Sequence, residues 1–279
     1  MGRVTRRVPS TRVVVGDPGG TSAASRPDTL AVEEPLEIRV DGTSVSVTMR
    51  TPGDDFDLAI GYLLTEGIIE EAAAVHQAMH CLDEDETGAP TYNVVDITLV
   101  EGAAVDTSRT ERSSYTTSAC GVCGKTSIDA ITTASRYAVA KDDVRVDPSV
   151  VAGLPEALRE RQRVFDRTGG LHAAGLFTSA GEVLAVREDV GRHNAVDKVV
   201  GWAGREGRIP LCGQVLVVSG RASFELTQKA VMAGIPLLVS VSAPSSLAVE
   251  LAAEAGLTLV GFTRPPRMTI YSGAHRLGL

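Results

Sequence analysis

The sequence predicts an α/β fold: a mixed sheet with helices on both faces, joined to a smaller N-terminal α+β subdomain. Three observations predict it. In the last third, VLVVSG, IPLLVSVS and LTLVGF are short, continuously apolar runs separated by helical stretches near 223–233 and 245–255, the βαβαβ pattern of parallel strands buried on both faces. Upstream, LHAAGLF and EVLAVRE flank the turn Ser179-Ala180-Gly181 and read as antiparallel strands feeding a helix that begins near Gly191-Arg192-His193-Asn194. Near the N-terminus, Leu36, Ile38 and Val40 alternate with polar residues, Asp41-Gly42 supplies a turn, and Val45, Val47 and Met49 resume the alternation of a hairpin.

Taken in order, residues 1–30 are rich in Gly, Ser, Thr, Pro and Arg without sustained periodicity, and are expected to form a flexible arm. Residues 31–110 make up the α+β subdomain. After its hairpin, Asp54 is placed to cap a helix with Phe56, Ile60, Leu63 and Leu64 on its apolar side, and Gly67 suits the position past its end. Residues 70–82 fit helix and strand equally, and Val95, Ile97 and Leu99 mark a strand. Residues 111–127 are polar and small, a mobile loop carrying Cys120-Gly121-Val122-Cys123. The main domain, 128–279, opens with helical spacing at Ile128, Ile131 and Ala134, which returns between Pro148 and Phe165 and closes at Gly169-Gly170.

With 279 residues and 43% hydrophobic content, the chain can bury a core without staples. Four cysteines occur, and only Cys120 and Cys123 share a motif spacing, so this is not the disulfide framework of a small secreted domain. That usage points to a reducing, cytoplasmic setting. No apolar run approaches the roughly 18 residues of a membrane span, and the run after MGRVTRR is too short for a signal peptide. A net charge of −8 and a pI near 5.2 argue against nucleic acid as a partner.

Two cysteines three apart can close a disulfide, hold half of a metal site, or place one thiolate where the other can attack its product. Spacing alone does not choose. Structural zinc needs four Cys or His ligands, and no second CxxC or CxxH completes a set, so no intrinsic metal is expected. His76 and His80 are four apart and on a helix would share a face beside Cys81, but no metalloprotease motif accompanies them. Cys81 and Cys212 read as packing residues. A thioredoxin-like dithiol should follow a strand, whereas a Ser/Thr-rich loop precedes this one, and thiol–disulfide exchange stays as an alternative. A persulfide carrier needs an exposed thiol on a segment that reaches both donor and acceptor, and Lys125 with a following helix start would favour thiolate.

Ligands of open α/β sheets gather beyond the carboxyl ends of the parallel strands. Those ends read Ser219-Gly220-Arg221, Ser240 to Ser246 with Pro244, and Phe262-Thr263-Arg264-Pro265-Pro266-Arg267. Arginines at two of them and hydroxyls at all three suit a phosphate or a guanine-type base edge. His172 and His193 stand at element boundaries with open roles.

Over EEPLEIRV, RTPGDDFDLAIGYLLTEGII, SACGVCGK, TGGLHAAGLF, REDVGRHNAVDKVVGW, SGRASFELTQKAVMAGIP and SAPSSLAVELAAEAGLTLVGF, the sequence resembles the formate dehydrogenase accessory sulfurtransferases of the FdhD/NarQ family. The resemblance implies a cytoplasmic homodimer that accepts sulfur from a cysteine desulfurase and passes it to the molybdenum cofactor, in its bis-molybdopterin guanine dinucleotide form, before insertion into formate dehydrogenase. Cys120 matches the family's persulfide-forming cysteine, Cys123 the second of the pair, and Phe262 to Arg267 the cofactor-binding stretch. It also implies a cytidine deaminase-like main domain. Deaminase chemistry itself needs HxE followed by PCxxC; here His172-Ala173-Ala174 lacks the glutamate and the CxxC lies upstream. A protein that escorts the cofactor without carrying sulfur is the remaining alternative.

Overall fold

The computed structural model describes residues 3–17, 20–81, 91–103, 105 and 135–279. Among these lie three sheets and six α-helices. The largest sheet has six strands in the order β12-β11-β10-β9-β7-β8: β7 His172–Thr178, β8 Val183–Asp189, β9 Gln214–Val218, β10 Leu237–Ser240, β11 Thr258–Arg264 and β12 Arg267–Ser272. Strands β9, β10 and β11 are mutually parallel, while β7 runs antiparallel to β9 and β12 to β11. Their continuous apolar runs follow from burial on both faces. Val215 and Val217 pack with Val151, Leu154 and Leu158 of α2 (Pro148–Arg159), whereas Leu216 and Val218 join the larger core on the other side. That side carries α4 (Arg192–Arg205), α5 (Phe224–Met232) and α6 (Ser246–Ala255). The mixed sheet with helices on both faces is therefore observed.

A four-stranded sheet, β4-β3-β6-β5, comes from β3 Glu34–Val40, β4 Thr43–Arg50, β5 Val75–Cys81 and β6 Val94–Leu99, with α1 (Asp55–Thr65) packed beside it. The β3–β4 turn has Asp41 and Gly42 at φ 47° and 77°, the paired left-handed conformations of a tight hairpin. The ambiguous stretch 70–82 resolves into a 3-10 turn at Ala72–Ala74 and strand β5, because antiparallel pairing with β6 supplies partners that local sequence does not reveal. His76 and His80 thus stand on a strand, and His80 and Cys81 point to opposite faces. Asp54 makes no side-chain cap to α1 and sits at φ 55°, so the capping role expected of it is absent.

Two further expectations change. Within residues 1–30, read as a flexible arm, the described residues form a ribbon of β1 (Thr5–Asp17) and β2 (Gly20–Ala31), paired from Thr5↔Ala31 to Asp17↔Gly20. Because Gly20 to Asp28 are all exposed, no buried face imprints an apolar alternation on the sequence. The helix expected across Pro148–Phe165 divides into α2 and α3 (Arg163–Thr168), the latter capped from a distance by Glu188, whose carboxylate accepts Val164 N–H at 2.9 Å and Phe165 N–H at 2.8 Å.

The two larger sheets are joined where α1 crosses α4. A Cβ on Gly61 would lie 1.8 Å from the Asp197 carbonyl oxygen, and one on Gly201 1.8 Å from that of Asp57. Only glycine permits that contact. Around it, Asp57 accepts from Arg187 at 2.9 Å and Arg205 at 2.7 Å, and Lys229 reaches Asp197 at 3.0 Å and Glu66 at 2.8 Å. Burial alone would lower the Lys229 pKa, but Asp197 and Glu66 outweigh it and hold the ammonium well above its ordinary value. Gly201→Ala is expected to cost about 3 kcal/mol or more, measured as a lower urea midpoint; a midpoint equal to the parent chain would show that the helices can separate freely.

Candidate functional site

Beyond the carboxyl ends of β9, β10 and β11 the chain opens a cleft of about 770 Å³. This is the place that the strand pattern predicted for a ligand. Ser219, Val241 and Thr263 form its floor, one from each strand end, while Leu158 and Arg159 of α2 and Phe165 of α3 form one wall. Leu171, His172 and Val190 also line it. Its volume falls within the usual range for small-molecule sites of roughly 300–1,000 Å³.

A β-bulge sets the floor. Gly261 pairs with Thr269 and Arg264 with Arg267, so Phe262 and Thr263 together stand opposite Met268. The extra residue twists the strand, sending Thr263 inward to 0% exposure while Phe262, at φ 49°, lies 50% exposed. Gly261 is required beside the bulge, since a Cβ there would come within 3.0 Å of Pro244 and 3.1 Å of Tyr271.

The candidate residues are therefore divided. Thr263, Arg264 and Pro265 line the cleft, whereas Phe262, Pro266, Arg267 and Arg221 are exposed and do not. Cys120, Cys123, Lys125 and the helical spacing from Ile128 to Ala134 lie outside the described residues. Cys212, expected to be packed, is exposed because it occupies a turn ahead of β9, and Cys81 is half-buried. Among the described residues no cluster of three His, Cys, Asp or Glu side chains is arranged to hold a metal.

Histidines take distinct places. His172 lines the cleft against Gly220, and burial, aided by the nearby charges of Arg192 and His193, pushes its pKa below the ordinary value of 6.5. It presents a neutral imidazole at pH 7. His193 instead joins the starts of α4 and α5, its Nε2 lying 2.7 Å from Glu225 and 3.3 Å from the Ser223 hydroxyl. That hydrogen bond holds the Glu225 carboxyl below its usual pKa.

Sequence reasoning missed Gln162, 4% exposed at the break between α2 and α3 and part of the cleft lining, together with Glu156 and Arg159. The available signal was faint: one uncharged polar residue after the run RER, between two apolar-periodic segments.

The fold and cleft define a mixed α/β protein with an open cleft at the ends of its parallel strands. Over 97% of its length it matches a solved chain from Desulfotalea psychrophila, given as a candidate formate dehydrogenase accessory protein, with a TM-score of 0.72, 23% identity and 99% of that chain covered. The sequence model described as the FdhD/NarQ family matches residues 31–278, and the chain belongs to this family. A protein of Streptomyces avermitilis called sulfur carrier protein FdhD is 56% identical over 282 residues, covering 100% of this chain and 98% of that one. One of the same name from Nocardia farcinica is 58% identical over 276 residues, covering 99% and 96%.

Two outcomes test the site's physics. Thr263 Oγ1 is buried without a partner among the described residues, so Thr263→Val should hold or raise stability by up to about 1 kcal/mol in thermal melting. A clear loss would reveal a hydrogen bond at this hydroxyl. Because the folded His172 pKa is depressed, the unfolded chain takes up its proton first, and stability should fall as pH drops below 6.5 toward the folded value. His172→Gln should flatten that part of a pH–melting curve; an unchanged slope contradicts the assignment.

Proposed function

We propose that the protein is a sulfur carrier that loads Cys120 with persulfide sulfur from a cysteine desulfurase and hands it to the molybdenum cofactor destined for formate dehydrogenase. The observation that carries this reading is family membership, with a relative 56% identical over its full length named as a sulfur carrier, together with the Cys120–Cys123 dithiol in the sequence. The cleft supports the acceptor half: Arg264 offers an exposed cation for a phosphate and Thr263 a hydroxyl, on a rigid strand end. Phe262, Pro266 and Arg267 adjoin lining residues along the chain and, like Arg221, are exposed, which suits an outer surface for a ligand larger than the cleft. A cytosolic homodimer and a deaminase-like main domain complete the proposal.

In the loading step Cys120 thiolate attacks the outer sulfur of the donor's cysteine persulfide, the donor S–S bond breaks, and donor cysteine leaves as thiolate. Cys120 then carries a terminal sulfur. In release, Cys123 thiolate attacks the Cys120 sulfur, forming an intramolecular disulfide and expelling the terminal atom as sulfide toward the bound cofactor. A dithiol reductant returns both cysteines to the reduced state. No described residue forms a zinc-deaminase ligand set, and the sulfur reading needs none.

Mass spectrometry after incubation with a desulfurase and free cysteine should show a gain of one sulfur on the parent chain and none on Cys120→Ala. Cys123→Ala should load but deliver poorly to formate dehydrogenase. An unloaded Cys120 beside a fully loaded desulfurase, or normal dehydrogenase activity with Cys120→Ala, would sink the carrier reading in favour of an escort.

A further inference from the structure

Apart from Ala31, the β1–β2 ribbon lies outside the stretch 31–278 that matches the family, and the sulfur chemistry makes no use of it. Its strands run 13 and 12 residues, about 40 Å at roughly 3.3 Å per residue. The foot of the ribbon is fixed to the wall of the cleft. Strand β2 packs against α3, the Arg167 guanidinium donates to the Thr5 hydroxyl at 3.1 Å, and the Ala31 Cβ lies 4.0 Å from where a Cβ on Gly170 would stand. Phe165 of α3 and Gly170 both line the cleft. Beyond the foot, residues 11–16 and 20–28 are exposed. A two-stranded ribbon standing alone is marginally stable in water, so a surface that covers this one stabilises it.

Its edges are closed to a further strand. Pro9 stands opposite Pro27, and since neither has an N–H to give the other, the pair is of the non-hydrogen-bonded kind, whose backbone groups point outward. Each edge therefore lacks a donor midway, which blunts strand addition. Recognition falls to the two faces, and charge is sorted between them. Cross-strand partners share a face: Arg6 stands opposite Leu30, Arg26 opposite Ser10 and Arg12 opposite Ala24, all on one side. On the other, the pairs Pro9–Pro27, Thr11–Ser25 and Val13–Ala23 are uncharged. Thr5 and Ala31 turn this uncharged side to α3 at the foot, which leaves the arginine face turned away from α3. All three arginines are exposed, and none is ion-paired with a described residue. Residues 3–31 carry five arginines against two aspartates, a net charge of +3 in a chain of net charge −8. Val13, Val14 and Val15, at 52%, 47% and 80% exposure, add apolar area near the tip. Arginine beside exposed apolar groups is a composition suited to a protein interface.

We infer that the arginine face of this ribbon docks an acidic surface of the cofactor-free formate dehydrogenase, an inference that rests on the carrier reading of the chain. The enzyme has to come to the cleft to take its cofactor, and the ribbon stands on the cleft wall, so a hold on the ribbon keeps the enzyme beside the cleft during transfer. Opposite charge there speeds the encounter and turns away basic surfaces. A two-fold dimer built on the ribbons would set the same patch against itself, arginine facing arginine, which disfavours a second copy at this face.

Surface plasmon resonance between the full chain and formate dehydrogenase prepared without its cofactor tests the dock, with Arg6→Glu, Arg12→Glu and Arg26→Glu combined in one variant. The three side chains are exposed, so melting temperature and persulfide loading of Cys120 by the desulfurase should match the parent chain. The variant should associate at least about ten-fold more slowly at low salt, and the two chains should converge to within about two-fold at about 1 M salt, where the screening length is about 3 Å. Equal association rates, or a parent chain that binds no apoenzyme while Cys120 still loads, would overturn the dock and leave the carrier reading standing. Binding that depends on these arginines in a chain whose Cys120 does not load would keep the dock and remove the carrier reading in favour of an escort. Loss of loading in the variant would assign the ribbon to the sulfur donor, and a fall in its sedimentation coefficient would assign it to a second copy; either result overturns the inference.

Discussion

The contact between Gly61 of α1 and Gly201 of α4 is the constraint on which the rest of the architecture depends. Backbone meets backbone there, so the helices cannot slide or rotate without a clash or a void. The same helices carry Asp57 and Asp197, whose carboxylates collect Arg187, Arg205 and Lys229. Buried carboxylates of this kind are tolerated because cations complete them. The crossing also governs the cleft. Next to it, Asp189, at 0% exposure, pairs with Lys198 at 2.8 Å and accepts the Thr51 N–H at 3.1 Å, while the Thr51 hydroxyl accepts the N–H of Val190 at 3.2 Å. Val190 lines the cleft, so Thr51, between β4 and α1, steadies one part of a cleft that lies at the other sheet.

This arrangement gives a physical meaning to long stretches of the family's sequence signature. RTPGDDFDLAIGYLLTEGII supplies Thr51, Asp57, Gly61 and Glu66, and REDVGRHNAVDKVVGW supplies Arg187, Asp189, Asp197, Lys198 and Gly201. These residues hold two helices and two sheets in one register. Their charges are matched within the fold, so none is free for chemistry, and motif length by itself is a poor guide to a catalytic centre.

The parts of the fold that were legible were those where burial writes itself into the sequence. Strands β9, β10 and β11 are apolar on both faces, and the hairpin β3–β4 alternates about a turn with two left-handed residues. What escaped reading depends on partners distant in sequence. The ribbon β1–β2 buries neither face along most of its length, β5 is a strand because β6 lies beside it, and α3 begins where Glu188 supplies a cap from β8. In the candidate site, strand-end logic located the region, but one inserted residue decided which side chains face inward. Phe262 and Thr263 share one cross-strand partner at the bulge between Gly261 and Arg264, and only Thr263 is buried. No composition or periodicity encodes that.

The buried hydroxyl of Thr263 at the cleft carries the functional argument furthest. Arg50, buried to 1% exposure, is bonded to Asp55, Glu34 and the Tyr92 carbonyl, and Arg276, at 0%, spends its guanidinium on the carbonyls of Val139, Asp142 and Gly256. A chain that completes such difficult groups is not short of partners. Yet the Thr263 hydroxyl faces the cleft with no partner among the described residues, and an apolar substitute of similar size would avoid the cost. Selection for stability alone does not favour that choice. Retaining polar groups that only a ligand can satisfy makes binding energy available at the moment of occupancy, and it makes that energy depend on the ligand's own donors and acceptors. The dithiol has the opposite requirement, since sulfur exchange turns on access and thiolate formation, so a transfer protein gains by keeping nucleophile and recognition cleft on separate segments of the chain.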